Sequence, residues 1–176
     1  MEQVVVVDQL GKPIGAEEKI RAHADGGVLH LAFCILVFDP AGQLLLQRRA
    51  DEKYHFSGLW SNTCCGHPRP GEGVCEAGQR RLSEEFGIRM ELEPRAHFTY
   101  FAEDPVSGLA EYEFAHVLVG RAGASVRPAP DPSEIGAWAW TPVSSVVDAT
   151  RSHGERYTPW FRQLLEEQPV AHWAMG

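Results

Sequence analysis

Residues 66–88 read GHPRPGEGVCEAGQRRLSEEFGI and join a loop rich in glycine and proline to a segment of helical pattern. The pattern predicts a helix over 74–86, closed by Gly87 in the position that glycine takes after many helices. Helical spacing places Arg81 and Glu85 four residues apart, on one face. A carboxylate there can hold a hard divalent cation, which can in turn hold a diphosphate. A solvated helix with an Arg–Glu ion pair would show the same spacing.

Length and composition restrict the class of protein. The 176 residues are enough for one domain, 1–176, with a sizeable core, and 44% hydrophobic and 23% charged residues are typical of a soluble globular protein. No apolar run approaches the ~20 residues of a membrane helix, and the N-terminal MEQVVVVDQL lacks the features of a signal peptide. The net charge of -8 argues against nucleic-acid or anionic-membrane partners. We therefore expect a cytoplasmic protein with neither kind of partner.

The order of predicted elements is strands, one helix, more strands and late helices. The predicted strands are 4–7, 29–38, 43–49, 96–102, 110–119 and 137–142. Two closing helices are predicted in PVSSVVDAT (142–150) and TPWFRQLLEEQ (158–168), and Thr158 can cap the second. This order favours an α+β fold, a mixed β-sheet sandwich flanked by α-helices, over a doubly wound repeat.

The four cysteines are Cys34, Cys64, Cys65 and Cys75. Because no secretion signal is present, structural disulfides are not expected, and the cysteines are interpreted as small buried residues of which one or two are reactive. Cys64, Cys65 and His67 also lack the second ligand pair that a zinc finger requires.

Five residues resemble a metal site. His23 and His30 flank the short stretch HADGGVLH, and His67 follows the cysteine doublet. Glu111 and Glu113 lie two apart in a predicted strand, so they share a face whose next positions are apolar. Two like charges beside an apolar surface are costly unless a cation or a proton compensates them. Three histidines and two carboxylates suit a divalent ion of the Mn, Fe, Zn or Mg type, although any one histidine is more often a surface or core residue.

The helix and its loop match the Nudix signature G-x5-E-x7-R-E-[apolar]-x-E-E-x-G-[apolar] at every defined position except Arg81, where hydrolases have Glu. Together with the other stretches, the sequence resembles the type I isopentenyl-diphosphate delta-isomerase family, a Nudix-fold family in which arginine is expected at this position. The resemblance runs from about residue 4 to Trp160. Its matching stretches are EKIRAH (18–23), LHLAF (29–33), LLLQRRADEK (44–53), GLWSNTCCGHP (58–68), RRLSEEFG (80–87), YFAEDPVSG (100–108) and EYE (111–113).

The resemblance implies interconversion of isopentenyl and dimethylallyl diphosphate, and a role for each matched residue. The expected divalent-metal site, for Mn²⁺, Mg²⁺ or Zn²⁺, is formed by His23, His30, His67, Glu111 and Glu113. Cys65 and Glu113 are the expected acid/base pair, with Tyr100 bonded to Glu113. Glu85 and the Cys65 carbonyl are expected to hold the Mg²⁺ that bridges to the diphosphate. The cations expected to neutralise the diphosphate are Lys19, Arg49, Lys53 and Arg81.

Trp160 is expected to present its ring to the developing carbocation, with Trp60 a weaker candidate for the same pocket. The resemblance implies an isoprenoid diphosphate as the small-molecule partner, and we expect a monomer or a weak homodimer. Two alternatives are a Nudix hydrolase that cleaves a diphosphate and a non-catalytic metal- or diphosphate-binding module. The sequence suggests no role for the remaining histidines, which are His55, His97, His116, His153 and His172.

Overall fold

The computed structural model describes residues 1–176 and contains nine strands and five α-helices. The strands are β1 (Gln3–Val7), β2 (Pro13–Glu18), β3 (His30–Phe38), β4 (Gln43–Arg49), β5 (Trp60–Ser61), β6 (Cys64–Gly66), β7 (Glu93–Glu103), β8 (Ala110–Arg121) and β9 (Ile135–Pro142). The helices are α1 (Lys19–His23), α2 (Val74–Phe86), α3 (Val143–Ser152), α4 (Pro159–Glu167) and α5 (Val170–Trp173). No helix combines the length and the apolar character needed to cross a membrane.

Strand β3 lies at the centre of the mixed sheet. It runs parallel to β8, from the pair His30–Glu113 to the pair Phe38–Arg121. It is antiparallel to β6, with Cys34 opposite Cys65, and it also pairs with β1 and β4. Its sequence HLAFCILVF is apolar at nearly every position because both of its faces are buried, as in parallel strands with helices on both sides.

Two hydrophobic clusters lie on the two faces of the sheet. Cys34, Leu36 and Phe38 of β3 point into a cluster that includes Trp160 and Phe161 of α4. The alternate β3 residues 33, 35 and 37 point into a second cluster that includes residues 82 and 86 of α2. Because successive side chains of a strand face opposite sides, helices cover both faces and the fold is the predicted α+β sandwich.

Helix α2 and its end agree with the local predictions, whereas one predicted cap does not. Helix α2 spans the predicted residues 74–86, and Gly87 follows it with a left-handed φ of 65°. Thr158 stands at the N-cap of α4, but its side chain caps no helix N–H. The Thr158 hydroxyl is instead 2.9 Å from the hydroxyl of Ser61, and the predicted side-chain cap is therefore wrong.

Candidate active site

The five residues of the predicted metal site converge at one end of β3 and β8. Each offers one ligand atom, and these atoms lie within 4.8 Å of one another. His30 and Glu113 are register partners across β3 and β8, while His23 closes the short helix α1 and His67 follows β6. All of them except His67 are buried, and His67 is nearly so.

Backbone carbonyls fix the orientation of two of these histidines. The Nδ1 of His23 donates to the carbonyl of Lys19 at 2.6 Å, and the Nδ1 of His30 donates to the carbonyl of Val28 at 2.7 Å. Because a carbonyl only accepts, each ring carries its proton on Nδ1 when neutral and turns the lone pair of Nε2 inward. Such bonds orient histidine ligands at metal sites.

When His23 and His30 are neutral, their inward nitrogens have no proton to donate to the atoms that they face. His23 Nε2 is 3.1 Å from Glu111, and His67 Nε2 is 2.7 Å from Glu113 and 3.2 Å from His30 Nε2. Lone pairs and carboxylate charges at these distances repel unless protons or a cation lie between them. The donor set therefore fits a divalent metal ion with nitrogen and oxygen ligands.

The pKa shifts of the cluster residues also indicate that the site favours bound positive charge. Burial disfavours a charged His23, but the carboxylates of Glu111 and Glu113 outweigh burial and raise the pKa of His23. Burial would raise the pKa of Glu111, yet hydrogen bonds from His23 and His55 bring it well below its ordinary value. Burial outweighs the hydrogen bond to Glu113 and lowers the pKa of His67, so this ring favours its neutral form.

Beside the cluster, one pocket is lined by all four predicted diphosphate ligands. Lys19, Arg49, Lys53 and Arg81 line it together with Glu85, Cys65, Tyr100 and Trp160. Lys19 pairs with Glu2 at 3.1 Å, and Arg49 donates to two backbone carbonyls at 3.0 Å. Four cationic side chains thus line one pocket, together with five carboxylates, in a chain whose net charge is -8.

Glu134, which carried no sequence prediction, bridges two of these cations. Its carboxylate pairs with Lys53 and lies 3.2 Å from Arg81. Burial opposes its ionisation, but the hydrogen bond and charge of Lys53 and the charge of Arg81 bring the pKa of Glu134 to about 2. It lies in the loop before β9, and nothing in its local sequence distinguishes it from a surface acid.

Glu85 is buried on α2 and both of its oxygens are occupied. Gln47 donates to one oxygen at 3.0 Å and Arg81 donates to the other at 2.6 Å. Burial disfavours the charge of Arg81, but Glu85 and its other neighbours raise the pKa of Arg81, which stays a permanent cation. A cation at Glu85 would therefore have an arginine directly beside it.

The cysteine doublet points in two directions. Cys64 is buried among the residues of the α2 cluster, whereas Cys65 lines the pocket. The Sγ of Cys65 lies 3.2 Å from Nδ2 and 3.3 Å from Oδ1 of Asn62, and 3.6 Å from Cys34 Sγ. No cysteine is in a disulfide. The amide of Asn62 can accept from the Cys65 thiol or donate to the thiolate.

Tyr100 and Trp160 complete the pocket wall. Tyr100 is the cross-strand partner of Glu113, and its hydroxyl donates to that carboxylate. Burial and then the nearby carboxylates raise the pKa of Tyr100 well above its ordinary value, so it remains a donor. Trp160 is buried, its Nε1 donates to Ser61 at 3.1 Å, and its ring lies 5.5 Å from the Arg49 guanidinium.

The structure changes the interpretation of Trp60 and of His55. Trp60 does not line the pocket, because its neighbour Ser61 takes the inward direction of the strand. His55, to which the sequence suggested no role, is buried against Glu111 and lines the pocket. Only the fold could reveal this contact, since the two residues are far apart in the chain.

Comparisons with known proteins identify the relatives of the chain. Residues 28–163 match the NUDIX domain family. The chain is 67% identical over 176 residues to an isopentenyl-diphosphate Delta-isomerase of Halorhodospira halophila, covering 100% of both chains. It is 47% identical to the enzyme of that name from Burkholderia multivorans, covering 98% of each.

Solved structures share the fold at low sequence identity. A crystal structure of a protein from Deinococcus radiodurans aligns with a TM-score of 0.75 and 20% identity, covering 94% of this chain and 98% of that one. A MutT protein from Methanosarcina mazei aligns with a TM-score of 0.63 and 19% identity, covering 78% and 91% respectively.

Proposed function

The chain belongs to the isopentenyl-diphosphate Delta-isomerase family of NUDIX proteins, and from this premise we propose which of its residues carry the reaction. The enzyme interconverts isopentenyl diphosphate and dimethylallyl diphosphate by protonating and deprotonating the alkene. The reaction moves a double bond by one position, so a proton must arrive at the terminal alkene carbon, which leaves a tertiary cation-like centre. Another proton must then leave from the carbon on the other side of that centre. Two proton-transfer groups beside one hydrocarbon are therefore required.

We assign the two proton transfers to Cys65 and Glu113. Both line the same pocket, and they come from the different strands β6 and β8. Tyr100 donates to one oxygen of Glu113 and His67 lies against the other, which restricts the orientation of the carboxylate. Asn62 contacts Cys65 Sγ with both amide atoms and can bond to either protonation state.

We propose that His23, His30, His67, Glu111 and Glu113 hold a divalent metal, which can be Mn²⁺, Mg²⁺ or Zn²⁺. When bound, such an ion would lower the proton affinity of Glu113 by its charge. The other four residues would hold the ion, and the ion would in turn hold the Glu113 carboxylate. The fixed Nδ1–H bonds of His23 and His30 leave their inward lone pairs free to bind the ion.

We assign diphosphate binding to the four cationic side chains of the pocket. Lys19, Arg49, Lys53 and Arg81 supply the positive charge, and Glu85 with the Cys65 carbonyl would hold the Mg²⁺ that accompanies the diphosphate. Arg81 replaces a hydrolase carboxylate, which removes a metal ligand and adds an anion ligand. That change favours holding the diphosphate over cutting it.

Trp160 is assigned to the carbocation-like centre. An indole ring attracts a cation and offers no lone pair that would capture it. Its ring already lies 5.5 Å from the Arg49 guanidinium, a distance typical of a cation–π contact. The buried hydrogen bond from Nε1 to Ser61 holds the ring against the pocket.

The observation that carries this proposal is that one pocket is lined by three members of the metal cluster, His67, Glu111 and Glu113, together with a thiol, a tyrosine and four cations. Incubation with isopentenyl diphosphate and Mg²⁺ in deuterated water tests it. We expect dimethylallyl diphosphate that carries deuterium. Phosphate release without isomerisation would indicate a hydrolase, and tight binding without deuterium exchange would indicate a binding module; either outcome contradicts the proposal.

A further inference from the structure

His55 lies just outside the five-atom cluster and touches one of its members. Its side chain is 6% exposed, and its Nε2 contacts Oε1 of Glu111. The other oxygen of Glu111, Oε2, lies 3.1 Å from His23 Nε2 within the cluster. Because a carboxylate only accepts, the contact requires His55 to carry a proton on Nε2. The two oxygens of Glu111 therefore face two different histidines, one inside the cluster and one outside it.

Packing alone does not explain a histidine at this position. The Nδ1 of His55 is buried and has no hydrogen-bond partner. An unpaired buried polar atom is unfavourable, and an apolar side chain would avoid that cost. Among the side-chain contacts of His55, only the hydrogen bond to Glu111 requires a polar side chain.

The ring of His55 is held in place from both sides and from its backbone. Tyr54 packs against it with ring centroids 4.3 Å apart, and Phe56 lies edge-on at 5.6 Å. Arg49 donates to the backbone carbonyls of both His55 and Phe56 at 3.0 Å. A ring fixed in this way can hold a carboxylate in one orientation.

We propose that His55 is a positioning residue for the metal site: it holds Oε1 of Glu111 so that Oε2 faces the bound ion. Hydrogen bonds to ligating carboxylates act in this way at protein metal sites. The inference rests on the proposed metal site. The inference adds a residue outside the five proposed ligands. Because Arg49 donates to the backbone of His55, it also connects one of the four diphosphate-binding cations to the metal cluster.

The test measures metal affinity directly, by titrating metal-free protein with Mn²⁺ and following free Mn²⁺ by electron paramagnetic resonance. Losing an outer hydrogen-bond partner typically weakens metal binding by about 10- to 100-fold, and we expect this of His55→Ala. His55→Gln keeps an N–H donor at similar reach, and we expect it to restore most of the affinity. His116→Ala removes a half-buried histidine from the same strand as Glu111 but outside the cluster, and serves as the matched control.

A second measurement separates positioning from a general structural effect. The Mn²⁺ concentration that gives half-maximal isomerase activity is expected to rise in His55→Ala by the same factor as the dissociation constant, while kcat at saturating metal stays close to wild type. Unchanged Mn²⁺ affinity in His55→Ala, or equal weakening in His55→Gln, would overturn the inference. If the wild-type chain itself bound no Mn²⁺, the proposed metal site would fail and the role of His55 with it.

Discussion

At the scale of single residues, the adjacent Cys64 and Cys65 of β6 lie in different environments. Neighbouring strand residues face opposite sides of a sheet, so Cys64 enters the α2 cluster while Cys65 enters the pocket. The sequence alone gave no reason to choose between them, and only the family resemblance selected Cys65. The structure gives that selection a geometric reason.

We predict that Cys65→Ala and Glu113→Gln each lose isomerisation while the fold is kept. Removing a proton-transfer group typically costs 10²- to 10⁴-fold in rate. Cys64→Ala removes a buried sulfur from the other face and should leave the rate close to wild type. Deuterium exchange from heavy water into isopentenyl diphosphate measures all three variants, with near wild-type exchange in the first two contradicting the assignment.

The Tyr100 hydroxyl gives a second residue-scale prediction. Because burial and nearby carboxylates raise its pKa, Tyr100 stays protonated and donates to Glu113 throughout the neutral range. Hydrogen bonds to charged groups contribute about 1.5–3 kcal/mol, so Tyr100→Phe should lower kcat by roughly 10- to 100-fold. KM should change little, because the Tyr100 hydroxyl bonds to the Glu113 carboxylate and not to any of the four cations assigned to the diphosphate. Steady-state kinetics would contradict this role if kcat were unchanged.

At the scale of elements, the sequence predicts what depends on local periodicity and fails where tertiary contacts compete. Helix α2 and its Gly87 end agree with the prediction because a 3.6-residue pattern and a left-handed glycine are local signals. The Thr158 cap is wrong because its hydroxyl bonds to Ser61, which is 97 residues away in the chain. The contact of His55 with Glu111 was missed for the same reason.

Gly66 controls how closely β6 approaches its neighbours. A Cβ at this position would lie 2.9 Å from Cζ of Phe33 and 3.2 Å from Cγ of Arg81. Phe33 is fully buried and cannot move freely, so Gly66→Ala should push the strand that carries Cys65 outward. Overpacking of this kind typically costs about 1–3 kcal/mol of the free energy of unfolding.

Denaturant unfolding and the KM for isopentenyl diphosphate measure this effect together. We expect lower stability and a higher KM, since Arg81 would also shift. Gly15→Ala is the matched control, because a Cβ there meets no atom within 4 Å. Gly66→Ala with wild-type stability and KM would show that the close approach is dispensable.

At the scale of the whole molecule, the site is assembled from distant parts of the chain. The proposed metal ligands come from α1, β3, β8 and the residue after β6, and span residues 23–113. The sequence could nominate them, since two carboxylates on an apolar strand face need a counter-charge. It could not predict Glu134 or His55, because each is an ordinary polar residue until the fold places it beside a cation or a carboxylate.

Because four elements supply the ligands, metal binding should stabilise the entire fold. A ligand that binds only the folded state at 100 times its dissociation constant adds about 2.7 kcal/mol to the free energy of unfolding. Protons compete for the same nitrogens, and His23 has a raised pKa, so it stays protonated to a higher pH than an ordinary histidine. The metal must displace that proton at pH 6 more often than at pH 8, and its stabilisation of the fold should therefore be smaller at pH 6.

Thermal unfolding with Mn²⁺ or with EDTA at both pH values measures this effect. In His30→Ala, the Tm values with Mn²⁺ and with EDTA should be the same. Equal Tm values with Mn²⁺ and EDTA at pH 8 would contradict a metal that joins these four elements.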